Sequence, residues 1–71
     1  VTIENEKPLL LTALQTARSL GVSVATLYRL HSAGRIPLPV KLGRSVRWNA
    51  SELKKWTEAG CPGRQVWEEK K

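Results

Sequence analysis

Two stretches with helical character, Thr12 to Gly21 and Ser23 to Gly34, are separated by almost nothing. That spacing limits the fold more than any other feature of the chain. Helices joined this tightly must pack against each other at an angle set by the turn. The turn chemistry is explicit. Thr12 with Gln15 reads as a capping box, in which each side chain satisfies a free backbone N–H. Ala13, Ala17 and Leu20, with Leu14 beside them, form an inward stripe, and Gly21 stands where a left-handed residue ends a helix. Ser23 is a good N-cap for the second helix. Val22 and Leu27 have the spacing of a hydrophobic staple, and Ala17 is small where the helices cross.

The second helix has one narrow apolar edge, Val24, Leu27 and Leu30. Its other positions, Ala25, Thr26, Tyr28, Arg29 and Ser32, are small, hydroxyl-bearing or cationic, and none is acidic. Such a face suits the DNA major groove. After Gly34, Pro37 and Pro39 exclude helix and favour an extended connector.

Val40 to Trp48 alternates apolar and basic residues around Gly43-Arg44-Ser45, which predicts a β-hairpin. A loop of those three residues pairs Leu42 with Val46 and Val40 with Trp48, gathering the apolar residues on one face. It also sets Lys41 against Arg47, a like-charge pair that a phosphate lying across the ribbon would relieve. Asn49 to Gly60 predicts a third helix, capped by Asn49 with Glu52 and facing the core with Ala50, Leu53 and Trp56. The expected organisation is a mobile lead-in over residues 1–8, one domain over 9–60, and a charged tail over 61–71. Val66 and Trp67 in that tail could dock on the domain or on a partner.

Charge sharpens the functional expectation. The 71 residues carry 12 Lys and Arg against 6 Glu, a net charge of +6. Arg18, Arg29, Arg35, Lys41, Arg44 and Arg47 follow one another with no acid between Lys7 and Ser51, whereas the cations elsewhere are balanced by the glutamates. An excess confined to the middle of the chain is the footprint of a polyanion-binding surface.

Other chemistries lack their residues. Cys61 and His31 are single, so neither an internal disulfide nor a structural zinc site is expected, and no cofactor is implied. There is no aspartate, and the glutamates do not converge on a nucleophile or base, so no enzyme is expected. No apolar run has transmembrane length and no signal-peptide pattern is present, which makes a membrane partner unexpected and the cytoplasm, on nucleoid DNA, the default location.

Several blocks resemble the small winged-helix proteins of the excisionase and AlpA-like regulator type, which share their fold with the DNA-binding domain of MerR-type activators. They are Ala17 to Ser23, Thr26-Leu27-Tyr28-Arg29-Leu30, Gly34-Arg35-Ile36-Pro37, Pro39 to Arg44, and Arg47-Trp48 running into Ser51-Glu52-Leu53. The resemblance spans about Leu10 to Gly60. It implies an α+β winged helix: a helix-turn-helix, a two-stranded wing and a third helix. It also implies double-stranded DNA as partner, with the second helix in the major groove and the wing tip in the neighbouring minor groove. In excisionases, side-by-side copies bend attachment-site DNA and direct an integrase toward excision.

Carried over by position, the resemblance makes Ala25, Tyr28, Arg29 and Ser32 face the bases and Arg44 the minor groove. Ala25 and Ser32 depart from the charged residues at the matching excisionase positions, so readout there is weaker, and DNA shape gains importance. From residue chemistry alone, Arg29 is the best candidate for a guanine edge, and Tyr28, Thr26 and Ser23 can reach phosphate or bases. Lys41, Arg47, Arg18 and Arg35 are phosphate candidates, and Ser45 flanks the wing tip. The sequence leaves three roles open: recombination directionality factor, transcription regulator, or an interaction module whose tail binds a partner. It favours a helix of modest readout beside a wing that supplies much of the affinity.

Overall fold

The computed structural model describes residues 8–70, so the expected lead-in lies outside the described residues except for Pro8. In chain order the elements are β1 (Leu10–Leu11), α1 (Ala13–Leu20), α2 (Val24–Ser32), β2 (Val40–Leu42), β3 (Ser45–Asn49), α3 (Ala50–Glu58) and α4 (Arg64–Lys70). The fold is a small α+β winged helix-turn-helix. Its antiparallel sheet has the order β1-β3-β2, so β3 is central and the ribbon β2–β3 is the wing. No helix among the described residues is long and apolar enough to cross a membrane.

Local chemistry places the first two helices. The Thr12 capping box is complete: Gln15 N donates to Thr12 Oγ1 at 3.1 Å, and Thr12 N donates to Gln15 Oε1 at 2.9 Å. Gly21 takes φ +74°, and Val22 N then reaches back to Ala17 O at 2.9 Å, closing α1 as a Schellman turn. Ser23 begins α2 by accepting Thr26 N at 3.1 Å. Arg35 N to Leu30 O and Cys61 N to Trp56 O close α2 and α3 in the same manner.

The core comprises Ala17, Leu27, Ile36, Trp48, Leu53, Trp56 and Trp67. Each tryptophan buries a large surface and must find an acceptor for its indole N–H. All three do so across a junction. Trp48 Nε1 donates to Pro37 O at 3.3 Å, Trp56 Nε1 to Pro62 O at 2.8 Å, and Trp67 Nε1 to Glu52 Oε2 at 2.9 Å. The indoles therefore fix the Pro-rich connector, the α3–α4 turn and α4 itself.

The structure differs from expectation in two places. The hairpin pairs Val40 with Arg47, Lys41 with Val46 and Leu42 with Ser45. The loop is therefore Gly43-Arg44 alone, and Leu42–Val46, Val40–Trp48 and Lys41–Arg47 are not opposed. Gly43 has φ +64° and Arg44 does not enter positive φ, which matches a type II′ turn with glycine first. That turn follows the right-handed twist of the strands. Its cost is that Val40 and Leu42 lie on the outward face, 40% and 59% exposed. The second difference is α4. Residues 64–70 are helical, and Trp67, only 8% exposed, belongs to the core. The packed unit thus continues beyond Gly60.

Thr16 carries a further expected outcome. Its side chain is fully buried in α1, and its Oγ1 has no hydrogen-bond partner. A buried polar group without a partner retains its desolvation cost. Thr16→Val keeps the branched shape and removes the hydroxyl, and should stabilise the domain by about 1 kcal/mol. Urea unfolding followed by tryptophan fluorescence checks this: the midpoint rises and the slope stays the same.

Candidate nucleic-acid interface

The two sides of α2 are chemically separate. Leu27 is buried, and Val24 and Leu30 pack against the core, as the apolar edge requires. Ala25, Arg29 and Ser32 are exposed at helical spacing, with Tyr28 beside them. These four share one outward stripe. Its groups are a methyl, a phenol, a guanidinium and a hydroxyl.

Ser23 and Thr26 stand differently. Ser23 Oγ accepts Thr26 N and also donates to Thr26 Oγ1 at 3.0 Å. Both hydroxyls are engaged in starting α2. Ser23 is nonetheless exposed and Thr26 half-buried, at the N-terminal end where free N–H groups and the helix dipole favour an anion.

Tyr28 joins α2 to the wing. It is 45% exposed, and its ring meets Trp48 edge-on, with centroids 6.3 Å apart and planes at 69°. His31 meets the same indole at 6.1 Å and 88°. α2 therefore lies over the sheet face that carries Trp48.

The observed register sorts the wing residues by face. Side chains of directly opposed residues share a face. Trp48, Val46 and Lys41 thus point to the α2 side, whereas Val40, Leu42, Ser45 and Arg47 point away. Lys41 is exposed on the α2 side, and Arg44 is exposed at the tip. Arg47 is half-buried, and its Nη1 donates to Val46 O at 2.9 Å. The expected like-charge pair does not form, so no phosphate is needed to relieve it. Ser45 is half-buried opposite Leu42.

Arg18 is exposed in the last turn of α1, and Arg35 is exposed just beyond α2. The structure therefore brings together Ala25, Tyr28, Arg29 and Ser32 on α2 and places Lys41 on the facing side of the wing. It separates Arg47 from them. One residue escaped the sequence reading. Arg64, assigned to a tail, contacts the C-terminal end of α2. An arginine in a short charged segment carries no periodic signal by which to find it.

A family model described as a helix-turn-helix domain matches residues 10–61, from β1 through α3. No curated protein and no solved structure matched the chain.

Proposed function

The chain belongs to the helix-turn-helix domain family, and from that DNA-binding fold we propose that it is a sequence-specific architectural DNA-binding protein of the excisionase kind. In this reading it binds double-stranded DNA near a mobile-element attachment site, bends it, and promotes excision by an integrase. Copies bind side by side. The protein acts by binding, with no catalytic step and no cofactor.

The observation that supports this most is the shared orientation of α2 and the wing. The exposed stripe of α2 and Lys41 lie on one side of the sheet, with Arg44 at the tip of the same ribbon. Arg29 is the residue for hydrogen bonds to a guanine edge. Ala25 offers a methyl to a thymine methyl, and Ser32 and Tyr28 bond to bases or phosphate. Arg44 enters the minor groove, where narrow A·T-rich DNA attracts arginine. Lys41, Arg18 and Arg35 contact phosphate and set register without specifying sequence. With Arg47 turned away from α2, the wing contributes mainly through Arg44 and Lys41.

An excision assay tests the finer role. An integrase from the same genome, its attachment-site DNA and the purified protein should yield excision that depends on this protein, with a footprint inside the attachment site. A footprint confined to a promoter, with altered transcription and no effect on excision, would instead make the protein an AlpA-like or MerR-like regulator. The interaction-module alternative has less support, since Trp67 is spent on the core.

A further inference from the structure

We infer that Arg64 is a positioning residue for α2: it holds the end of that helix, the connector and, through His31, the wing in the relative placement needed to read DNA. The inference rests on the DNA-binding role of α2. Arg64 lies three residues beyond the matched segment, which ends at Cys61.

The geometry is a single fork against several acceptors. Arg64 Nη2 donates to His31 O at 3.0 Å and lies 2.9 Å from His31 Nδ1. Its Nε donates to Ile36 O at 2.9 Å. Its backbone N donates to Gly34 O, also at 2.9 Å. A guanidinium only donates, so Nδ1 is the acceptor and the ring proton sits on Nε2. One side chain thus ties the last turn of α2 to the first residues of the connector.

The position also fits the electrostatics, because a cation at a helix C-terminus complements the helix dipole. The effect continues past His31. That ring packs edge-on against Trp48, the indole that also meets Tyr28. Moving His31 therefore disturbs the contact that sets α2 against the wing. Lysine cannot reproduce the arrangement, since it lacks the planar fork that reaches Ile36 O and His31 together.

The test uses the full chain with two probes: a duplex enriched by selection from a random-sequence library, and a scrambled duplex of the same length. Arg64→Ala should bind the selected duplex about 5–10-fold more weakly and the scrambled one within about twofold of the parent, with the salt dependence unchanged. Arg64→Lys should fall between. Without DNA, amide resonances of residues 29–33 and 46–48 should shift in Arg64→Ala.

Equal losses on both duplexes, with a shallower salt dependence, would mean that Arg64 touches phosphate itself and would overturn the inference. Unchanged affinities in a folded variant would overturn it too. If Arg64→Ala fails to fold, Arg64→Lys carries the same comparison, with a smaller loss selective for the enriched duplex as the expected result. If the parent protein binds no duplex at low salt, the DNA role itself fails. The amide shifts then decide the structural clamp separately.

Discussion

Trp48→Ala should remove about half of the domain's stability and lower its thermal midpoint by about 12–40 °C. Trp48 is almost completely buried on the central strand, where it meets Tyr28 and His31 from α2 and donates to Pro37 O on the connector. One side chain thus joins the sheet, α2 and the connector. Truncating a buried tryptophan costs about 3–5 kcal/mol, because transfer energy is lost and a cavity remains. A domain of this length has about 4–10 kcal/mol in total. Neither neighbour can refill the space cheaply, since Tyr28 and His31 are both held on the same helix. Circular dichroism at 25 °C and thermal unfolding check this. The expected result is a lost or strongly lowered transition; a fall of only a few degrees would mean that Trp48 does not anchor the core.

Arg29→Ala and Arg44→Ala should weaken DNA binding in different ways. Arg29 sits mid-stripe on the outward side of α2, and in the proposed reading its loss removes a base contact. The expected cost is about 1–3 kcal/mol, with relaxed preference at one or two base pairs. Arg44 stands at the tip of a ribbon shaped by the Gly43 turn. Its loss should weaken binding most at sites with a narrow minor groove and leave base preference elsewhere unchanged. Neither residue packs in the core, so both variants should unfold like the parent. A mobility-shift series over single-base variants of the selected site separates the two. Equal and sequence-independent losses would contradict both roles.

Much of this fold is legible in the sequence because its instructions are local. Thr12, Gln15, Gly21 and Ser23 act on backbone groups within a few residues, and the structure uses each of them as local chemistry dictates. The outward residues of α2 were equally legible, since helical spacing alone separates Arg29 from Leu27. What escaped depends on distant parts of the chain. The hairpin register set the gathering of apolar side chains against the turn: the two-residue Gly43-Arg44 turn prevailed, leaving Val40 and Leu42 exposed. α4 spans only Arg64–Lys70, too short for a clear period or for stability in isolation. It exists because Trp67 bonds to Glu52 and Arg64 bonds to residues 31–36. Thr16 is polar by type, yet it falls three residues after Ala13 and beside Ala17, and it is fully buried.

The most direct measurement is the salt dependence of binding to a selected duplex. The exposed cations of α1, α2, the connector and the wing should neutralise about four or five phosphates, giving a slope of log K against log salt of about −3.6 to −4.5. Affinity should then fall about 150–500-fold between roughly 50 and 200 mM salt. A slope near zero, or no binding at the lower salt concentration, would contradict the proposal that α2 and the wing form a DNA-binding surface.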